Sequence, residues 1–362
     1  MASRAFYLVV IPLLAAGFSF TDSTYQTRTI RTQLEVSSLD AELDLSLPDE
    51  MGDLGALELL GKRGVATEAE SRHGMPWTTS ISSCYTPPNL RPPLLEDESQ
   101  SPLLFMPFWT HQMSFMEANL ANLRRLSTAI PPTEDGCDDV SFRKSRRTRD
   151  NARIVNAAFA SDEFRKIRMT YYDAGDKCQV FNSLFYPQPK YNLPVLGIDL
   201  IAFNRQQATD GIGARGKYLT VIDFQPIHAG TTDDTIDSVV ALGKIRSDYP
   251  SLQGSMSNRF YDHTRHFSSE MLYGRHDSEE FVSTELAPAF ARSLETYFGL
   301  LQNSFADASN TRKVLEGQAA YDSYSAKRDP AMALFSKMFG TDWAKSYVHD
   351  FLFDLSDEDD VE

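Results

Sequence analysis

LPVLGIDLIAF, residues 193–203, carries one charged side chain, Asp199, among apolar residues, Gly and Pro. Side chains alternate along an extended strand, so Val195, Gly197, Asp199 and Ile201 share one face and Leu196, Ile198, Leu200 and Ala202 the other. Both faces are apolar, which predicts a strand covered on each side. Asp199 then lies among aliphatic neighbours, beside the empty space that Gly197 leaves. A carboxyl group deprived of water and of a cationic partner is driven toward its neutral form. Such a group can give a proton to a ligand. The alternative is an Asp at a strand end, exposed or bonded to backbone amides, and the strand pattern leaves both open.

Upstream, Lys166–Tyr172 and Gln179–Tyr186 read as strands. The turns Asp173-Ala-Gly-Asp176 and Pro187–Asn192 are short, which makes neighbouring strands antiparallel. Downstream, Tyr218–Phe224 is a fourth strand and Phe267–Tyr273 a further one. Helical spacing marks residues 108–126, with Phe115, Met116, Leu120 and Leu123 on one stripe, and residues 235–248. The C-terminal third reads as four helices: Pro288–Asn303, Thr311–Lys327, one opening at Asp329-Pro330, and Asp342–Leu355. Asp accepts amide bonds at an N-cap and Pro at the first helical position sacrifices none, so capping alone is a sufficient explanation for Asp329. Strands followed by helices predict a three-layer α/β/α sandwich with a central, mainly antiparallel sheet and helices on both faces. A pocket between that sheet and the C-terminal helices would place Asp199 and Asp329 against one flat ligand.

The ends read differently from the middle. Residues 1–20, with Arg4 and then AFYLVVIPLLAAGFSF, fit a signal peptide; the Ser/Thr-rich TDSTYQTRTIRT from Thr21 and six prolines in residues 71–103 fit a transit peptide and linker. Together they predict a bipartite leader into a plastid and no membrane anchor, with the folded domain at 104–355 and an acidic tail at 356–362. Of the net charge of −15, most lies outside that domain: residues 1–100 hold 14 acids and 7 bases, and the tail from Asp354 holds 6 acids and no base. The acidity argues against nucleic acid as a partner, yet the nearly neutral body would not repel an acidic protein. SFRKSRRTR, residues 141–149, is either a solvated turn or a docking patch for such a partner. Cys84, Cys137 and Cys178 are too few and too scattered for a disulfide framework, an iron–sulfur cluster or a zinc site. Any electrons the protein uses come from elsewhere. Gly211-Ile-Gly213-Ala-Arg-Gly216 matches a dinucleotide fingerprint but precedes a strand instead of opening a helix, so no phosphate cradle is expected. Asp262, His263 and His266 lack the helical pairing of a metal site. Ser268, Ser269 and Arg275 could bind a carboxylate or be ordinary surface.

The blocks DAGD (173–176), QVFNS (179–183), LPVLGIDLIAF (193–203), VIDFQP (221–226), HFSSEML (266–272), YDSYSAKRDPA (321–331) and FGTDWAKSYVHDFLF (339–353) follow one another in an order that resembles the ferredoxin-dependent bilin reductases over residues 104–355. The resemblance implies a linear tetrapyrrole held between sheet and C-terminal helices. It also implies no bound flavin, nicotinamide or metal; reduced 2Fe–2S ferredoxin supplies electrons singly, and carboxyls and water supply protons. Asp199 matches the family's central proton-donating aspartate, and Asp329 a second one that positions or protonates the bilin. Asn182, Gly197, Ser268, Arg275 and Arg328 complete the candidate binding residues.

Asn182 and Thr170 stand at or near places where the phycocyanobilin-forming branch carries His and Glu. The blocks look most similar to the branch that reduces the C15=C16 methine bridge of biliverdin IXα to 15,16-dihydrobiliverdin, on the way to phycoerythrobilin. The next bilin reductase in that route is then a possible recipient of the product. The alternatives are reduction of the A-ring diene of 15,16-dihydrobiliverdin, and a bilin carrier without catalysis.

Overall fold

Four strands follow one another in residues 164–225, and the other described elements are laid against them. The computed structural model describes residues 103–146, 152–206, 215–228, 236–256, 265–329 and 331–356. The leader, most of the linker, Cys84, the end of the basic run, Gly211, Gly213, Asp262, His263 and residues 357–362 of the tail lie outside the described residues.

The elements in chain order are α1 (Met106–Asn119), β1 (Arg124–Arg125), β2 (Phe142–Lys144), β3 (Arg153–Ala160), β4 (Phe164–Asp173), β5 (Cys178–Pro187), β6 (Val195–Gln206) and β7 (Arg215–Gln225). Then come α2 (Ile236–Asp248), β8 (Leu272–Ser278), α3 (Ala287–Asn303), α4 (Thr311–Ala326), α5 (Ala331–Phe339) and α6 (Thr341–Ser346), which runs on into a π-helical turn, Tyr347–Leu352. The strands form one antiparallel sheet in the order β1-β3-β4-β5-β6-β7-β8, with β2 also paired to β3.

The alternation expected for β6 is realised. Leu196, Ile198, Leu200 and Ala202 pack with Trp109 of α1, Leu242 of α2 and Phe290 and Tyr297 of α3. Val195 and Ile201 pack on the opposite side with Tyr321 of α4, Phe335 of α5 and Trp343 and Tyr347 at the C-terminus. Helices thus cover both faces of the sheet, the three-layer α/β/α sandwich. Aromatic stacking consolidates the second layer: Trp343 and Tyr347 lie 5.1 Å apart at 7°.

Three expectations are corrected. The helix expected to reach Leu126 stops at Asn119, because Leu120 is extended and Asn122 adopts φ 53°, and the chain then enters β1. The strand expected at Phe267–Tyr273 begins only at Leu272, because Ser268 is bound by its hydroxyl and amide to Asp223 and so cannot join the ladder with β7. The space beside Gly197 is not empty: a Cβ there would lie 2.5 Å from Oε1 of Gln225, whose side chain fills it. Gly216 stands near the start of β7, so the fingerprint-like run does lead into a strand.

Candidate active site

Backbone register lines up one polar row across the sheet. Asn156 of β3, Thr170 of β4, Asn182 of β5 and Asp199 of β6 are successive cross-strand partners. They face the layer of α4–α6, and Val221 and Tyr273 continue the row on β7 and β8. Thr170 donates to Asn156 Oδ1 at 2.7 Å and lies 3.1 Å from the Tyr347 hydroxyl.

Asp199 is 2% exposed. Its Oδ1 accepts from Asn182 Nδ2 at 3.2 Å, while Oδ2 is buried with no partner among the described residues. Burial drives its pKa well above the ordinary carboxylate value, and the nearby Asp329 adds to the rise; the Asn182 bond and Arg168 offset part of it. The shift favours the protonated carboxyl, which can act as a donor. Asn182 also bonds the Ile198 carbonyl at 3.2 Å, and its Oδ1 accepts from Arg168 Nη1.

Arg168 is the cation that the sequence analysis missed. It sits on β4 facing the same layer, 2% exposed, with its guanidinium 5.4 Å from the centre of the Phe353 ring. Its Nε is buried and unpartnered.

Asp329 caps α5 as its sequence predicts, Oδ1 accepting the Ala331 amide at 2.7 Å. It is nonetheless buried, and burial lifts its pKa to about 6, against the lowering effects of that amide and of Arg168. Two acids and one guanidinium therefore act on one another in the same layer, with the acid form of Asp199 favoured and the pKa of Asp329 raised to about 6.

A narrow crevice lies among these groups, with about 480 Å³ of unfilled space when the solvent at its mouth is included. Arg168, Asn182, Gly197 and Asp199 line it from the sheet, and His266, Tyr321 and Phe353 from the other side.

The remaining predicted binding residues divide. Ser268 spends its hydroxyl and its amide, the latter at 2.9 Å, on Asp223, so the carboxylate it binds is the chain's own. Arg275 is exposed on β8, 5.7 Å from the Tyr273 ring, and does not line the crevice. Arg328 is exposed and stacks at 4.1 Å on Tyr324, which does line it. His266 donates from Nδ1 to the Pro226 carbonyl at 2.9 Å. Among the described residues no group of three His, Cys, Asp or Glu side chains is placed to hold a metal ion, and no helix is long and apolar enough to cross a membrane.

Asp223 is fully buried, and burial lifts its pKa to about 7 against the two Ser268 bonds. An unfolded Asp titrates near 3.9, so this carboxyl supports the fold fully below that value and loses its contribution as pH rises to about 7. Relative to Asp223→Asn, the wild type is expected to lose about 1.4 kcal/mol per pH unit across that window and nothing more above it. Urea denaturation of both proteins at a series of pH values measures this, and parallel stability curves would refute it.

One buried carboxyl, Asp199, in the wall of a crevice between sheet and helices, with Asp329 buried nearby but outside the crevice lining, defines a ligand-binding protein equipped to donate protons. The chain belongs to the ferredoxin-dependent bilin reductases, whose family model matches residues 135–354. It is therefore an oxidoreductase that acts on bilins of the biliverdin type and depends on ferredoxin for electrons. It is 36% identical over 255 residues to the 15,16-dihydrobiliverdin:ferredoxin oxidoreductase of Nostoc punctiforme, a match covering 69% of this chain and 95% of that one. The enzyme of the same name from Gloeobacter violaceus is 34% identical over 253 residues, with the same coverage of both chains. Among solved structures, phytochromobilin synthase from tomato in complex with biliverdin superposes with a TM-score of 0.55 at 19% identity, over 69% of this chain and 83% of that one, which shows a shared fold.

Proposed function

We propose that this chain is a plastid enzyme that reduces the C15=C16 methine bridge of biliverdin IXα to 15,16-dihydrobiliverdin, with two electrons from reduced ferredoxin. The observation that carries the chemistry is Asp199: a buried carboxyl whose Oδ2 has no partner among the described residues, in the wall of a crevice. The similarity to the Nostoc and Gloeobacter enzymes supports the choice of bond, and the leader-like first segment supports the plastid.

Bilin binding spreads the crevice and places the bridge between the third and fourth rings beside Asp199. Protonation by the neutral carboxyl makes the conjugated system easier to reduce, since the added electron then enters a cation instead of a neutral molecule. A second electron and a second proton complete the saturation of the double bond. Asp329, with a pKa of about 6, is suited to return a proton to the site between the two electron transfers.

Incubating the purified protein with biliverdin, ferredoxin and a ferredoxin-reducing system tests the proposal. The expected product has lost conjugation between its third and fourth rings, seen as a blue shift of the long-wavelength band, and incorporates two hydrogens at that bridge. A product reduced on the A ring would overturn the assignment of the bond, and bilin bound but not bleached would overturn catalysis.

A further inference from the structure

We infer that His266 is a substrate-binding residue, whose Nε2 accepts a hydrogen bond from a pyrrole or lactam N–H of the bilin. The inference rests on the reading of the crevice as a bilin site and adds to it a specific contact.

The partner of Nδ1 fixes which nitrogen of His266 carries the proton. Nδ1 lies 2.9 Å from the Pro226 carbonyl oxygen. A carbonyl can only accept, so Nδ1 must be the N–H donor. In a neutral imidazole that leaves Nε2 as a lone pair. Burial lowers the pKa of this ring, and Arg265 and His228 oppose a further positive charge, so the neutral form is the one present.

The ring is also held in place. His266 is 4% exposed, with Tyr321 and Tyr324 at centroid distances of 5.4 and 5.1 Å. Turning it over would give up the Pro226 bond. Two residues along, the carboxylate of Asp223 clamps the hydroxyl and amide of Ser268, which ties this loop to β7.

Nε2 has no partner among the described residues, although the side chain lines the crevice. An acceptor open to the crevice can take a donor from a ligand there. A linear tetrapyrrole offers N–H groups along its inner edge and carbonyls at its two ends, and only the N–H groups match a lone pair. Asp199, protonated, presents the opposite character from the sheet side. One donor wall and one acceptor wall together select the orientation of the pigment, which a crevice lined by carbon alone would not.

Two substitutions separate binding from a merely structural role. His266→Asn can keep an N–H near the Nδ1 position for Pro226 but loses the acceptor; His266→Gln can place a carbonyl oxygen near the Nε2 position and loses the Pro226 bond. Biliverdin titration followed by absorbance is expected to give a Kd raised about tenfold for His266→Asn and about threefold or less for His266→Gln. Thermal melting without pigment is expected to rank them the other way. Binding by His266→Asn as tight as wild type, or equal weakening in both variants, would overturn the inference. Failure of the wild type itself to bind biliverdin would instead remove the functional reading beneath it.

Discussion

Replacing Asp199 by Asn is expected to leave biliverdin bound and to lower turnover by about two to four orders of magnitude, the usual range for a lost general acid. Asn has nearly the same shape and is neutral, the form that burial favours for the carboxyl, so the row from Asn156 to position 199 and the fold around it survive. What is removed is the transferable proton. The two quantities separate experimentally: the absorbance change on mixing with biliverdin reports binding, and the rate of bleaching with reduced ferredoxin reports chemistry. The pH dependence has a definite sign. Burial raises the pKa of Asp199, so the wild type holds its acid form to higher pH than a free Asp does and loses rate as rising pH removes that proton. Asp199→Asn lacks that limb. A variant keeping a tenth or more of the wild-type rate would show that the proton comes from elsewhere.

Asp199 could be found in the sequence because its strand is apolar on both faces and a lone carboxylate stands out against it. Arg168 could not be found in that way. In KIRMTYY, residues 166–172, Lys166, Arg168 and Thr170 alternate with Ile167, Met169 and Tyr171, the pattern of a strand with one face in water. Only the layer of α4–α6, more than 140 residues later in the chain, covers that polar face and turns Arg168 into a buried cation. The same distance effect hid the Gln225 side chain beside Gly197 and the Asp223–Ser268 clamp, in which partners 45 residues apart meet. The strands β4 to β6 were legible because short turns separate their apolar runs, and β7 because of its own apolar run. RIVNAAFA of β3 has neither alternation nor an adjoining hairpin signal, and its place in the sheet follows from pairing with β4. His266 was considered only as a metal ligand, and its tautomer becomes visible through the carbonyl of Pro226, 40 residues earlier.

Arg168→Met is expected to lower kcat/KM about a hundredfold and to move the alkaline limb of the rate profile to higher pH. The guanidinium reaches Asn182 but makes no ion pair with a carboxylate among the described residues, and its Nε is left unpartnered in a buried site. A buried donor of this kind finds its acceptor in a ligand, here a carbonyl or carboxylate oxygen of the pigment. Charge-assisted hydrogen bonds contribute about 1.5–3 kcal/mol, about one to two powers of ten in affinity. Arg168 also lowers the pKa values of both Asp199 and Asp329, so removing it lets both rise. The surviving activity should therefore persist to higher pH even as its maximum falls, a combination that simple loss of structure does not produce. Stability should change little, because Met removes an unpaired buried charge while costing the bond to Asn182. Steady-state rates across pH, with melting curves on the same samples, decide the matter. A pH profile that keeps its alkaline limb in place would show that Arg168 does not act on the acids of the site, and an unchanged KM with unchanged kcat would show that the pigment does not reach it.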